Sequence, residues 1–430
     1  MPDRGIIMEL NINHELRIES KIPFQSVKDF SFEWKPNQHT TLEINGYIDQ
    51  NITYGKESFY DSKIRIWKEQ DKETIFCGYI TNVSEEKTGS FIEVHIIAQS
   101  ASCKLDQKTE KRSFQAVEKT YAQIVREAVQ QDGGQIICTE GNNSPIGKPL
   151  IQYNETAWEF SKRLASCLTT CIVADIISGE PALWFGMRNG NTIPPLPEDE
   201  YTINIVRAPH GDGSQTETEY QAESREFYKL GDKTVFCGRK LIICGVSARF
   251  QHGELIFRYL LKNKEICKKI YQENLIGLGL SGTVVDVRQE QIKIALDIDG
   301  GKSTGNYFYN WYPETGNALY AMPEIGARVE VCFGSWDEKD GFGINCFLKN
   351  KKERNSYLCR QFHTSRKSSI NLYTDNISFF NGYQYSFSIS DNYMSLSGLQ
   401  KLSIGAKDGI HIDSEKIIIR TPSDLNFCKN

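Results

Sequence analysis

Gln152-Tyr153-Asn154-Glu155-Thr156-Ala157-Trp158-Glu159-Phe160-Ser161-Lys162-Arg163-Leu164-Ala165 is the stretch on which the reading of this 430-residue chain turns. Thr156 followed three residues later by Glu159 is a capping box, in which each side chain satisfies a backbone N–H at the start of a helix. Trp158, Phe160, Leu164 and Cys167 or Leu168 then give that helix one apolar face. Just upstream, Val117, Tyr121, Ile124, Val125, Ala128 and Val129 recur at helical spacing, with Ser113 expected as N-cap and Gly133-Gly134 as the stop. Strands are expected at 171–177 and 182–187, which makes residues 111–200 a small α/β insertion.

Working outward, the period changes to two. Towards the N-terminus, Glu9-Leu10-Asn11-Ile12-Asn13, Thr41-Leu42-Glu43-Ile44-Asn45 and Glu93-Val94-His95-Ile96-Ile97 alternate polar with apolar, the pattern of half-buried antiparallel strands, so 1–110 is expected to be a β-barrel or small sandwich. Towards the C-terminus the alternation resumes through 201–206, 235–236, 240–246 and 254–260, a second β domain spanning 201–276. Glu73-Thr74-Ile75-Phe76-Cys77-Gly78 in the first is echoed by Lys233-Thr234-Val235-Phe236-Cys237-Gly238 in the second, which suggests a duplication. Residues 277–350 hold five short strands, expected at 282–287, 291–297, 307–312, 328–333 and 344–348, with a turn at Gly300-Gly301; these suit an OB-type barrel. A basic stretch, 351–368, reads as a linker.

The last segment, 369–430, is alternation without a core of its own. Ile370, Leu372, Ile377, Phe379, Phe387, Ile389, Met394, Leu396, Ile404, Ile410, Ile412, Ile417 and Ile419 stand between polar or glycine residues. Short strands like these cannot bury enough surface alone. Three copies wound about one axis would let each inward isoleucine meet its own copies and would pair every strand edge. Ile404, Ile410, Ile412, Ile417 and Ile419 are the expected core of such a needle, each worth roughly 1.5–3 kcal/mol when fully buried.

Composition excludes several classes of function. A net charge of -5 opposes a coat for nucleic acid, which needs excess Lys and Arg; Asp286, Asp297, Asp299 and Glu324 also give the expected barrel the wrong sign. The twelve cysteines sit singly in apolar runs and read as small buried hydrophobes, consistent with reduced, cytosolic synthesis. Cys167 and Cys171 are the closest pair, at i,i+4 on the expected helix, with a metal or redox site there as the minor reading. The seven histidines show no ligand spacing, and neither GxSxG nor GxxxxGK[ST] occurs, so no catalytic, cofactor-binding or metal residue is assigned. The first nine residues lack the apolar core of a secretory signal, and no stretch approaches the roughly 20 apolar residues of a membrane helix. A chain soluble when made, exported without a signal peptide, is expected.

The order of these parts resembles a known family. The 152–165 stretch closely resembles the helix start of VgrG-type spike proteins and phage late control D hub proteins, through Tyr153, Asn154, Trp158 and Phe160. Gly282-Thr283-Val284-Val285-Asp286-Val287, then Trp311-Tyr312-Pro313, then Met322-Pro323-Glu324-Ile325-Gly326-Ala327-Arg328-Val329 resemble that family's OB domain, with Trp311, Pro313, Pro323 and Gly326 as its structural positions. The resemblance implies a mainly β chain: two tube-like β-barrel domains with a small helical insertion, an OB-fold collar and an intertwined trimeric β-helix needle. It implies no enzyme and no cofactor, but a homotrimeric hub of a contractile injection system. Its partners would be a hexameric inner tube protein, baseplate proteins, and a PAAR-type tip protein with effectors, with the target envelope met only on firing. Only 351–368 separates collar from needle, so no cell-wall hydrolase domain is expected, nor is a tip domain expected after Asn430. Alternatives are a trimeric receptor-binding adhesin, which would show clustered exposed aromatics where Phe427 stands alone, and an envelope hydrolase.

Overall fold

Alternating apolar residues put strands almost everywhere the period of two occurs, and the computed structural model of the chain shows how they join. It describes residues 8–12, 16–49, 62–89, 91–210, 213–313, 321–347, 360–364, 367–383, 385–398 and 401–426. These divide into two compact units, Met1–Leu348 and Lys349–Asn430.

The first unit opens with β1 (Met8–Asn11), β2 (Leu16–Ser20), β3 (Phe24–Trp34), β4 (Thr41–Asp49), β5 (Lys63–Lys68), β6 (Thr74–Thr88) and β7 (Phe91–Ser100). The insertion follows: β8 (Thr109–Phe114), α1 (Tyr121–Gln131), β9 (Gln135–Cys138), β10 (Leu150–Thr156), α2 (Ala157–Cys167), β11 (Ile172–Ala174) and β12 (Ala182–Phe185). Then come β13 (Tyr201–His210), β14 (Gly213–Ser224), β15 (Lys233–Phe236), β16 (Arg239–Gln251) and β17 (Glu254–Lys262).

The two expected β domains are not separate sheets. Their strands run on as one twelve-stranded sheet in the order β1-β2-β5-β6-β7-β4-β3-β16-β17-β14-β13, with β15 attached to β16. The seam is β3 against β16, antiparallel from Val246↔Trp34 to Gln251↔Asp29. Both strands present apolar residues at matching registers, and Phe30 stacks on Phe250 at 5.2 Å across the seam, so pairing removes two strand edges and merges two cores. One hydrophobic cluster accordingly contains Phe76 and Phe236 alike. The two similar hexapeptides differ in conformation. Phe76-Cys77-Gly78 continues along β6, whereas Cys237 (φ 47°) and Gly238 (φ 68°) form the two-residue turn joining β15 to β16.

Three local expectations change. Helix α1 is capped by Thr120, whose hydroxyl accepts from Gln123 N, and not by Ser113, which lies in β8. Strand β14 carries Ser214-Gln215-Thr216-Glu217-Thr218-Glu219, too polar to read as a strand; ten backbone pairings with β13 decide it. Cys171 lies beyond the end of α2, so it does not share a helix face with Cys167.

The rest of this unit is a closed barrel of β18 (Gly279–Arg288), β19 (Gln291–Leu296), β20 (Tyr309–Trp311), β21 (Arg328–Phe333) and β22 (Gly341–Phe347), ordered β18-β19-β20-β22-β21. Val284, Ile292, Ile294, Tyr309, Val331 and Phe333 fill it. Gly326, at φ 89°, makes the turn into β21 and donates its N–H to Val284 O at 2.8 Å; Pro323 is buried beside it, and Trp311 Nε1 donates to Ala321 O at 2.8 Å.

The second unit is one antiparallel meander, β23 (Arg360–His363), β24 (Ser368–Leu372), β25 (Asn376–Asn381), β26 (Ser386–Ser390) and β27 (Met394–Ser397). Strand β23 falls within the stretch read as a linker, where Phe362 opposite Ile370 supplies the apolar pairing that the basic composition hid. The first strands of the expected needle therefore pair within one chain. Residues 401–426 follow without strand pairing of their own.

Candidate functional site

The meander of the second unit has two unlike faces, because its register places like residues side by side. Phe362, Ile370, Phe379, Phe387 and Leu396 are successive cross-strand neighbours, and Leu372, Ile377, Ile389 and Met394 form the adjacent row. Phe379 stacks on Phe387 at 5.8 Å. The opposite face carries Asn371, Ser378, Ser388 and Ser395, where Asn371 Nδ2 donates to Ser378 Oγ at 3.2 Å and the Ser388 and Ser395 hydroxyls meet at 2.8 Å. Among the described residues of this unit none is buried. Met394 is 72% and Leu396 53% exposed. Ile404, Ile410, Ile412, Ile417 and Ile419 lie in extended chain and are exposed as well, while Phe427 lies outside the described residues. Among the described residues of this unit nothing covers these apolar rows, and an exposed apolar surface of this kind marks a candidate interaction site.

In the first unit the 152–165 stretch builds a clamp. Asn154 takes φ 52° at a bulge in β10, which turns Glu155 inward. Thr156 and Glu159 form the expected capping box. Trp158 is buried with His39 at 4.0 Å between ring centroids, and Phe160 stacks on Phe114 at 5.5 Å. Tyr153 packs on the barrel core with Lys111 over its ring.

Arg163 is the centre of this clamp. Its Nε and Nη2 donate to the Glu155 carboxylate at 2.7 and 2.9 Å, its Nη1 to Glu338 Oε1 at 2.7 Å, and its Nη2 also to Ile151 O at 2.9 Å. Lys148 Nζ completes the network to Glu338 and Asp337 at 2.8 and 2.7 Å. Burial opposes the Arg163 charge, yet the two glutamates hold the guanidinium above its usual pKa. Burial would also raise Glu338, but Arg163 and Lys148 hold it below the ordinary carboxylate range. For Glu155 burial wins, and its pKa is raised. A second attachment lies nearby: Asp299 accepts from Ser113 N at 2.7 Å and from Ser113 Oγ at 2.6 Å. Together these pin the five-stranded barrel to the insertion.

The sequence marked Tyr153, Asn154, Trp158 and Phe160 but not their shared partner Arg163, nor Glu338, Lys148 and Asp299. A lone Arg on an amphipathic helix reads as a solvated charge; only its position about two turns past Glu155, on the face carrying Phe160 and Leu164, hinted at burial. Trp311 bonds Ala321 in the segment that leads through Pro323 and Gly326 into β21, and none of the three is a hydrogen-bond partner of Arg163. Among the described residues no three His, Cys, Asp or Glu side chains are placed to hold a metal ion, and no helix is long and apolar enough to cross a membrane.

No family model matches the chain, and no curated protein matches it. Solved structures do. The E. coli c3393 protein, described as a component of the type VI secretion system with structural similarity to T4 bacteriophage tail proteins gp27 and gp5, matches with TM-score 0.53 at 13% identity, over 74% of this chain and 95% of that one. The Francisella PdpA–VgrG complex in a half-lidded form matches with TM-score 0.55 at 10% identity, over 92% and 89% of the two chains. A lidless PdpA–VgrG complex gives 0.57 at 10% identity, over 91% and 98%. At this identity the likeness is one of fold, and the chain shares the fold of the type VI secretion protein and of the VgrG complexes.

Proposed function

We propose that this chain is the structural hub and spike of a contractile injection system, working as a homotrimer and not as an enzyme. The observation that carries the reading is a folding unit with two rows of apolar residues, Phe362 to Leu396 and Leu372 to Met394, on one sheet face and no buried residue among those described. A five-stranded layer of this kind has no core of its own. Copies of the same face, brought together about an axis, supply it.

The segment after the sheet supports three copies rather than two. Residues 401–426 are extended and unpaired, with Ile404, Ile410, Ile412, Ile417 and Ile419 exposed at 53% to 69%. A two-copy sandwich would cover the sheet faces but leave those backbone groups open. Winding three chains pairs each edge and buries each isoleucine against its copies. In the first unit, the two sheet edges, β1 and β13, are available for pairing between copies, and β13 carries exposed Ile203 and Ile205. Closure through these edges would turn three twelve-stranded sheets into a ring presenting six similar halves to a hexameric inner tube protein.

In this reading the barrel β18–β22 is an OB-fold collar, and the Arg163 clamp transmits load between ring and collar. The needle would pierce a target envelope, carrying a PAAR-type tip protein and effectors, within a baseplate assembled in the cytoplasm. The domain division is 1–110, 111–200, 201–276, 277–350, 351–368 and 369–430, with β23 shifted to the needle side. The test is the solution mass of the full chain by light scattering. Three times 49.1 kDa, stable to dilution, supports the spike; a monomer overturns it, and a dimer would replace the three-chain needle by a sandwich.

The adhesin reading keeps one supporting observation: Tyr373, Tyr383 and Tyr393 are exposed at the hairpin ends of the meander. Binding of the trimer to a glycan array, lost on changing these tyrosines to alanine, would favour it.

A further inference from the structure

A cavity of about 260 Å³ opens where the insertion meets the large sheet. Its walls come from distant parts of the chain: Trp34 at the end of β3, Asp175 and Ile177 after β11, Trp184 in β12 with Arg188 beyond it, and Lys229 between β14 and β15. It is smaller than the roughly 300–1,000 Å³ of pockets that take drug-sized ligands, and suits one long side chain or a small amine. Trp34 is buried, and its Nε1 donates to Ala174 O at 3.0 Å, which fixes the indole against the strand that leads to Asp175.

Three charged side chains line this cavity, and two of them already have partners. Arg188 donates through Nε to Leu230 O at 3.0 Å and through Nη2 to Asp232 Oδ1, while Lys229 Nζ lies 3.2 Å from Glu73 Oε1. Asp175 is different. It is only 7% exposed. Its Oδ1 accepts from Ile177 N at 2.8 Å and from Ser178 N at 3.4 Å, but its Oδ2 bonds no described residue and no cation pairs with it among the described residues. Asp232 and Glu73 balance Arg188 and Lys229, so the negative charge left over belongs to Asp175. A carboxylate so nearly buried without a counter-ion is costly, and a cation arriving from outside would offset that cost. Trp rings attract an ammonium or guanidinium over their faces, and Trp34, Trp184 and Ile177 offer apolar area to the stem that carries it.

We propose that this cavity is a binding site for an organic cation on a short apolar stem, a guanidinium or a primary ammonium, with Asp175 as its counter-ion. The inference does not depend on the functional reading above. An anion has the wrong sign: Arg188 and Lys229 would have to leave Asp232 and Glu73 to hold it, and Asp175 would repel it. Lys229 is the internal competitor, since a swing from Glu73 to Asp175 would neutralise the carboxylate; its contact with Glu73 opposes that swing.

The test titrates the full chain with n-butylguanidinium by isothermal calorimetry, beside butyrate as an anion of like size. Saturable binding of the cation and none of the anion is expected, weakening as salt is added. Asp175→Asn keeps the Oδ1 acceptor for Ile177 N but removes the charge, and should weaken the cation about tenfold or more. Lys229→Met removes the competing ammonium at a partly exposed position and should tighten binding; it carries the test if Asp175→Asn fails to fold. The peptide acetyl-Gly-Arg-Gly-amide distinguishes the sources: tighter binding than n-butylguanidinium assigns the cation to a protein side chain, and no tighter binding assigns it to a free amine or guanidine. No saturable heat with the cation, equal affinity in Asp175→Asn, tighter binding of butyrate, or loss of binding in Lys229→Met would overturn the proposal.

Discussion

Arg163 Nη1 lies 2.7 Å from Glu338 Oε1, a contact between residues 175 apart that joins helix α2 to the last turn of the five-stranded barrel. Both side chains are buried, and Glu155 and Lys148 complete the charges. A buried network of this kind adds little net stability over an apolar one, but breaking it leaves an uncompensated charge. Its use is positional, since it fixes the barrel on the insertion in one orientation.

Replacing Arg163 with Ala is therefore expected to cost about 3–5 kcal/mol, because Glu155 and Glu338 are left buried without their cation. Urea unfolding of the full chain followed by circular dichroism measures it. A loss near zero would mean that water reaches the network.

Acid should loosen the same clamp. Glu338 and Asp337 have depressed pKa values, so their contribution is complete above the ordinary carboxylate values of 4.5 and 3.8 and is lost as pH falls through their lower folded values. Glu155, raised by burial, runs the other way, its contribution declining as pH climbs through its folded pKa. Glu338→Gln is expected to lower stability at pH 7 and to flatten the decline below about pH 4.5. Parallel pH profiles for the variant and wild type would remove Glu338 from the account.

Asn154 stands at φ 52°, where a β-branched side chain is strained. Asn154→Val should cost about 1–2 kcal/mol, and Asn154→Gly only a few tenths. Equal losses in the two variants would show that the Asn side chain, and not the backbone, is what matters.

Thr156 caps α2 through Glu159 N and also donates to Asp106. Thr156→Ala is expected to cost about 0.5–2 kcal/mol, read as a lower Tm, while Thr156→Ser keeps most of the stability.

On the apolar face, Phe379→Asp or Phe387→Asp would place a carboxylate where copies are proposed to meet. The assembled mass should fall to that of one chain by light scattering, with the circular dichroism of the first unit retained. An unchanged mass would move the assembly interface elsewhere.

Much of this was legible from residue types alone. Period-two alternation located most strands of both units, and the spacing of Thr156 and Glu159 located α2, because strand faces and helix caps are local consequences of side-chain direction and backbone hydrogen bonding. The same alternation marked the residues of the apolar meander, from Ile370 to Leu396.

What only the tertiary structure decided are relations between distant residues. Nothing local in Trp34 or Val246 says that β3 pairs with β16, since any two apolar edges satisfy the same pattern. Ser113 carries the signature of a cap but spends its hydroxyl on Asp299, a choice made by the barrel turn that arrives beside it. Arg163 and Glu338 look solvated in sequence and become a buried pair because folding brings opposite charges to one place, where desolvation makes each obligatory to the other. Sequence sets which faces must be covered, and the three-dimensional path of the chain sets what covers them.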